Sequence, residues 1–336
     1  MSDRSNQMQA FLAAAGWSDA KVRFLAGDAS DRSYFRLSRQ GARAVVMDAP
    51  PGRGDDPATF LVIASHLTAL GLSAPRCFAQ DLETGFLLLE DLGDGIYARL
   101  IDADLGAEPA LYKPAVEVLV HLQTQASAAG LANLSAADWA EAACFALDWY
   151  RFAITGEHAD PSDFRSILTA ALARYADGPR VMILRDYHAE NLLWLPDRAG
   201  LARVGLLDFQ LAQMGQPGYD VVSLLQDARR DVSSDVESAM ISHFIDLTGS
   251  TDAAFRPAYA VLGAQRALRI LGIFARLCLH GGKPGYIALI PRVWAQLQRN
   301  LTAPELAPLA AICSKLLPEP TPDALTKIGA KCGHFR

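Results

Sequence analysis

The sequence predicts an α+β chain in which a small, mainly antiparallel sheet comes first and a larger helical part follows. Three observations predict it. Short apolar runs separated by polar or glycine-bearing turns fill residues 22–37, 42–51 and 85–95, the spacing of strands joined by tight connections. From residue 108 to 175 the apolar positions recur every three or four residues instead, as they do along one face of a helix. Past mid-chain, residues 184–195 and 206–210 are again short apolar runs, now with polar side chains at their ends.

Bulk properties narrow the class. A chain of 336 residues with 51% hydrophobic content can bury a large core, and that length suggests two lobes. A net charge of -6 argues against a general nucleic-acid binder, which carries a basic excess. Cys77, Cys144, Cys278, Cys313 and Cys332 are odd in number and lack Cys-x-x-Cys spacing. That fits reduced thiols better than a disulfide frame or a zinc site. Residues 1–9 are polar, without the apolar core of a signal peptide. Arg266, Arg269 and Arg276 interrupt the most hydrophobic region, so no uncharged run reaches the roughly 18 residues of a membrane span. The expectation is a cytoplasmic enzyme without a membrane partner.

In chain order, residues 7–15 form an amphipathic helix pattern stopped at Gly16. Residues 22–37 read as strand, turn and strand, and the turn Gly27-Asp28-Ala29-Ser30-Asp31-Arg32 is rich in small and polar residues. Such a turn can bring backbone N–H groups onto phosphates, with Ser30 and Arg32 as added donors; a plain hairpin would look the same. Residues 42–51 are an apolar strand stopped by Pro50 and Pro51, and a helix pattern covers residues 57–70. The run Phe86 to Leu89 ends in the acidic connector Glu90-Asp91-Leu92-Gly93-Asp94-Gly95, which reads as the lobe boundary. It sets an N-terminal lobe at 1–91 and a C-terminal lobe at 92–336. On the first of the later helices, His121 is read as a packed or surface histidine.

The chemistry lies in the two later apolar runs. Asp186 is followed five residues on by Asn191, then by the apolar Leu192-Leu193-Trp194, and then by Leu207-Asp208-Phe209-Gln210. Phosphoryl transfer asks for a carboxylate to accept the acceptor's proton and for oxygen ligands to magnesium. Asp186 supplies the first, Asn191 and Asp208 the second. The order Asp, four residues, Asn, apolar strand, Leu-Asp-Phe is that of a kinase catalytic loop and its metal-binding aspartate. On these residues the chain resembles the aminoglycoside phosphotransferase and choline kinase group, with Arg185 replacing the small residue before the aspartate and Gln210 standing where protein kinases have glycine.

The resemblance implies a protein-kinase-like two-lobed fold with ATP and Mg2+ bound between the lobes. It also implies that Gly27, Ser30 and Arg32 serve the nucleotide's phosphates, because Gly-Asp-Ala-Ser-x-Arg-x-Tyr-x-Arg-Leu looks like the nucleotide loop of bacterial cell-wall amino-sugar kinases within that group. Backbone groups at Glu90 and Leu92 would meet the adenine edge. An aspartate in the position of Asp220 holds the catalytic loop's backbone, and a histidine in the position of His188 orients the loop rather than binding metal. Most kinases carry a phosphate-holding lysine on the strand at 42–51; here Met47 and Asp48 stand in its place. Either another cation replaces it, with Arg32 the first candidate, or the chain is a nucleotide-binding pseudokinase. Asp48 itself reads as a strand-end turn residue.

For the acceptor, residues 253–304 contain Arg256, Arg266, Arg269, Arg276, Lys283, Arg292 and Arg299 and no aspartate or glutamate. Most of these should pair with acids elsewhere. A pocket for a polycation or for choline would have the opposite character, so the region suits a neutral or anionic acceptor. The resembled subgroup phosphorylates the anomeric hydroxyl of N-acetylmuramate and N-acetylglucosamine, which makes such a sugar the expected substrate. Another small alcohol, such as an aminoglycoside, choline or a homoserine-like compound, is the alternative.

Overall fold

The computed structural model describes residues 3–27, 32–54 and 56–335. The expected Ser30 donor therefore lies outside the described residues. Two compact units are present: residues 1–129 with 189–212, and residues 130–188 with 213–336. Residues 92–129 and 189–212 thus pack with the sheet-bearing segment, whereas the sequence-based division at 91/92 groups them with the rest of the chain.

The first unit is built on an antiparallel sheet in the order β1-β2-β3-β5-β4, made of β1 Lys21–Gly27, β2 Ser33–Arg39, β3 Ala42–Asp48, β4 Cys77–Asp81 and β5 Phe86–Leu89. Register decides which side chains share a face, because successive residues of a strand alternate. Phe35 pairs with Val46 and Val46 with Leu88. That face, with Leu37, Ala44 and Phe86, is covered by Met8, Phe11 and Leu12 of helix α1, Asp3–Ala14. Phe11 stacks on Phe86 at 5.6 Å. Each such fully buried apolar side chain stabilises the unit by about 1.5–3 kcal/mol.

The opposite face carries Tyr34, Arg36, Val45, Met47, Leu87 and Leu89. Helix α2, Pro57–Ala69, starts where Asp56 accepts from Ala58 N at 2.8 Å and Pro57 sets the first turn. Helices α3 Tyr97–Ala103 and α4 Glu108–Thr124 follow the connector. On α4 the ring of His121 meets Leu70 O at 2.9 Å, as a packed histidine. The two-stranded ladder of β7 Leu192–Trp194 and β8 Val204–Leu206 completes the unit, pairing Leu192 with Leu206 and Trp194 with Val204.

The second unit is mainly helical. Its helices are α5 Ala136–Ala143, α6 Phe152–Thr155, α7 Ser162–Tyr175, α8 Tyr219–Leu225, α9 Ser234–Thr248, α10 Asp252–Leu279, α11 Ile290–Leu301, α12 Ala307–Leu316 and α13 Pro322–Ala330, with a short ladder of β6 Val181–Ile183 on β9 Gln213–Gly215. Helix α10 is long and apolar enough to cross a membrane by length and composition, but 72% of that apolar window is buried within the protein, so it serves as the core helix of the unit. Gly272 is where the turn at residues 146–151 presses against α10: a Cβ there would lie 2.2 Å from the Phe145 backbone. The glycine-rich run Gly281-Gly282-Lys283-Pro284-Gly285 lies where α10 ends and α11 has yet to begin. In the tail, Thr321 caps helix α13 and Pro322 opens it.

Candidate active site

The first unit positions two of the expected site residues through one ladder. Because Leu192 pairs with Leu206 and Leu207 N donates to Asn191 O at 2.9 Å, Asn191 sits opposite Leu207 and one step from Asp208. Asp208 adopts φ +56°, a left-handed conformation that costs a non-glycine residue energy. Its Oδ1 accepts from Arg32 Nη2 at 3.1 Å and from Gln210 Nε2 at 2.8 Å. The next residue, Phe209, is fully buried and stacks on Phe60 of α2 at 5.0 Å. The aromatic side chain anchors the segment and the carboxamide of Gln210 steadies the carboxylate, a role that the departure at Gln210 did not disclose by itself.

Arg32 is only 3% exposed, against 31% for its partner's side chain. A buried guanidinium needs a negative or hydrogen-bonding partner, and here the fold supplies the carboxylate expected to hold metal. At the strand position where a lysine was missing, Met47 is fully buried. Asp48 beside it is engaged by Arg4, with Nε at 2.8 Å from Oδ1, in keeping with a structural residue at the strand end. Gly27 closes β1 opposite Ser33, and a Cβ there would make only ordinary contact with Phe24 at 3.5 Å, so the described geometry does not of itself require glycine there.

The connector after β5 is held by a residue that the sequence did not single out. Arg36, buried on β2, places Nε 2.8 Å from Asp91 Oδ2, Nη1 2.8 Å from Asp94 Oδ1 and Nη2 3.1 Å from Gly93 O. These bonds hold the Asp94 carboxyl below its ordinary range. Glu90 N donates to Arg76 O at 2.8 Å, and its side chain meets Arg198 at 2.6 Å. The Glu90 carbonyl and the Leu92 backbone are therefore the groups that an adenine edge could meet. Gly95 then passes so close to β7 that a Cβ would lie 2.5 Å from Trp194 O.

The second unit carries the proposed base. Asp220, fully buried at the start of α8, accepts from Leu184 N at 2.6 Å and from Arg185 N at 2.9 Å. Burial pushes its carboxyl up to about 7, against the pull of those two N–H groups. Ser223 Oγ donates to Arg185 O at 3.1 Å and itself accepts from Arg266 Nη2 at 2.9 Å. Both ends of the Arg185 peptide environment are thereby fixed, and Arg185 is held at φ +72°. This explains in physical terms why a small residue suits the position before the aspartate. Asp186 follows, half-buried. His188 is buried with Nε2 3.2 Å from Arg229 Nη1. Burial, then the Arg229 and Arg266 charges, drives its pKa down, so the ring is neutral and accepts from Arg229.

The basic residues of 253–304 separate by partner. Arg256 pairs with Asp252 at 2.6 Å, Arg292 with Asp231 at 2.7 Å and Arg299 with Glu237 at 2.7 Å. Arg266 holds Ser223 and Gln226 O, and Arg276 lies exposed over the Trp149 ring at 5.8 Å. Arg269 has instead a long 3.5 Å contact to the Tyr219 hydroxyl.

Arg32, Asn191 and Asp208 thus belong to one unit together with Gly27, Glu90 and Leu92, and Asp186 belongs to the other. The donor set suits a nucleotide with magnesium: Asn191 and Asp208 offer the hard oxygen ligands that would hold the ion.

Comparison with known proteins adds an independent line. The sequence profile of the phosphotransferase enzyme family matches residues 21–260. The chain is 36% identical to the N-acetylmuramate/N-acetylglucosamine kinase of Caulobacter vibrioides over 95% of this chain and 98% of that one. It is 32% identical to the protein of the same name from Pseudomonas aeruginosa, over 90% and 91%. Among solved structures, a choline/ethanolamine kinase family protein from Mesorhizobium loti superposes with a TM-score of 0.62 at 15% identity, covering 97% of this chain and 99% of that one. The aminoglycoside phosphotransferase APH(2")-IIa, in a complex with streptomycin and ATP, gives 0.56 at 14% identity, covering 81% and 90%. At these identities the structural likeness establishes the protein-kinase-like fold.

Proposed function

The chain belongs to the phosphotransferase enzyme family, and from that premise we propose that it transfers the γ-phosphate of ATP to the anomeric hydroxyl of N-acetylmuramate or N-acetylglucosamine. The observation that carries the acceptor is the similarity along nearly the whole chain to relatives that bear those sugars in their names. Such a reaction belongs to the recycling of cell-wall sugars and to the cytoplasm, where ATP is supplied.

Asp186 accepts the proton of the attacking hydroxyl. An anomeric hydroxyl is more acidic than an ordinary alcohol, so a carboxylate of ordinary basicity suffices. Asp220 and Ser223 keep that base in place by fixing the backbone just before it. Asn191 and Asp208 are the residues that would hold Mg2+, which when bound neutralises charge on the phosphates. Arg32 takes the duty of the absent strand lysine. Its burial and its bond to Asp208 support that role, since a cation already lodged beside the metal-holding carboxylate needs little movement to serve a phosphate.

ADP release with magnesium-ATP and either sugar, compared between wild type and Asp186→Asn, tests this reading. Saturable turnover that falls by about 100- to 10,000-fold in the variant, the usual weight of a general base, with a new anomeric phosphate signal by phosphorus NMR, supports it. Wild type that binds ATP and turns over neither sugar removes the acceptor, and turnover indifferent to Asp186 removes the base.

A further inference from the structure

We infer that Arg185 and Arg269 form a binding site for a carboxylate carried by the acceptor, so that the enzyme favours N-acetylmuramate, with its lactyl carboxylate, over the neutral N-acetylglucosamine. The inference rests on the proposed function and deepens it.

Three costs meet at Arg185. It occupies φ +72°, where a glycine would sit without strain and a residue bearing a Cβ loses about 1–2 kcal/mol. Its Nε is buried without a hydrogen-bond partner among the described residues. Burial, and after it the Arg269 charge, lowers its pKa, and the two arginines meet neighbouring residues at the start of α8, Arg185 through its N–H on Asp220 and Arg269 through the Tyr219 hydroxyl. Neither forms an ion pair among the described residues; Arg269 has only the Tyr219 hydroxyl at 3.5 Å. The carboxylates whose charge reaches Arg185 are Asp186, the proposed base, and Asp220, whose two oxygens are already taken by Leu184 N and Arg185 N.

Four other arginines of the second unit are satisfied within the fold. Arg256, Arg292 and Arg299 have carboxylates within 2.7 Å, and Arg266 has two oxygen acceptors. The orphaned buried donor and the unrelieved repulsion are both reduced by a bidentate anion, the ligand that a guanidinium fork fits best, and the strained backbone is the cost of placing the fork there. Arg185 immediately precedes Asp186, which puts the anion site beside the acceptor whose hydroxyl Asp186 addresses in the proposed reaction. Of the two proposed acceptors only N-acetylmuramate carries such an anion.

The test reads the ratio of kcat/KM for N-acetylmuramate to that for N-acetylglucosamine in wild type, Arg269→Met and Arg185→Gly. A charge-assisted bidentate contact predicts that the ratio falls by about 10- to 100-fold in either variant, mainly through KM of N-acetylmuramate. Arg185→Gly should do so while raising Tm, because glycine relieves the left-handed backbone; a residue present only for folding would lower Tm instead. A ratio that stays at the wild-type value in both variants overturns the inference. Titration calorimetry decides the same point separately from turnover. Wild type that turns over neither sugar would remove the proposed function, yet tighter binding of N-acetylmuramate than of N-acetylglucosamine, lost in Arg269→Met, would still support the carboxylate site. Equal or absent binding of the two sugars overturns it.

Discussion

Arg32 in the first unit and Arg185 in the second are both withdrawn from water, and each belongs to a corner where a non-glycine residue is held left-handed, Asp208 at φ +56° and Arg185 at φ +72°. The corners differ in where the opposing charge comes from. Arg32 finds it inside the fold, on Asp208 at 3.1 Å. Arg185 finds no ion-pair partner among the described residues. An arginine with an internal carboxylate is set for use with its partner, in the present proposal at the metal-holding end of the reaction. One without is, in the same proposal, set for a charge that arrives with the substrate. Backbone strain marks both corners.

The largest effect that could break this comparison is expected at Asp208. Asp208→Asn removes one of the two proposed magnesium ligands and Arg32's countercharge together. Losing metal stabilisation of the phosphates should lower kcat by at least about 100-fold, with a higher magnesium concentration needed for half-maximal rate. Leaving Arg32 buried beside a neutral amide should also cost about 1–3 kcal/mol of stability, seen in chemical denaturation. Activity lost without any change in magnesium dependence would mean that Asp208 serves Arg32 alone, and the two corners would no longer be set apart as described.

A second difference concerns acid. His188 lies buried in the second unit, neutral because burial and the Arg229 and Arg266 charges hold its pKa far down. For a base whose folded pKa is depressed, the unfolded chain takes up the proton first. The stability contribution is complete above the ordinary histidine value near pH 6.5 and is lost as the pH falls below it, by up to about 1.4 kcal/mol per pH unit. Asp220, raised to about 7 by burial, acts in the opposite sense: the folded chain holds its proton more tightly, so its contribution falls as pH rises from about 4 to 7. The difference between wild type and His188→Gln in stability against pH isolates the histidine. The variant should be less acid-sensitive between pH 6.5 and 5, both values near the ordinary histidine range. Parallel curves would place the acid sensitivity elsewhere.

How legible these corners were in the sequence follows from how far apart their parts lie. Asn191 and Asp208 could be read because a short ladder fixes them: Leu192 opposite Leu206 forces them into neighbouring places, and the chain order alone carries that pattern, with Asp186 five residues before Asn191. The two-lobed α+β class followed from the change in periodicity near residue 108. Arg36 was invisible, because its partners Asp91 and Asp94 come from a connector more than fifty residues away and no spacing encodes such a contact. Arg269 was one of seven basic residues, and only its surroundings distinguish it: Arg256, Arg292 and Arg299 have carboxylates, Arg266 has two oxygen acceptors and Arg276 lies exposed, whereas Arg269 has the Tyr219 hydroxyl at 3.5 Å. Strand β9 has three residues, too short for any alternation to register. Helix α13, by contrast, had its signal in Thr321 and Pro322, and a proline-rich context masked it.

The smallest expected effect sharpens the comparison from the other side. Asp48 ends β3, beside the position where a phosphate-holding lysine was sought, and pairs with Arg4 with side chains 13% and 26% exposed. An ion pair of that kind, partly open to water, is worth at most about 1 kcal/mol after screening. Asp48→Asn should therefore shift a denaturation midpoint slightly and leave KM for ATP where it was. The argument is one of geometry: Asp48 is bound to the N-terminal helix, and the alternation of β3 puts it on the face of Val46, which α1 covers, while Met47 points to the other face. A carboxylate turned away from Arg36 and Met47 has no access to the face they share. A rise in KM for ATP in Asp48→Asn would contradict that placement and take from Arg32 its standing as the cation that replaces the lysine.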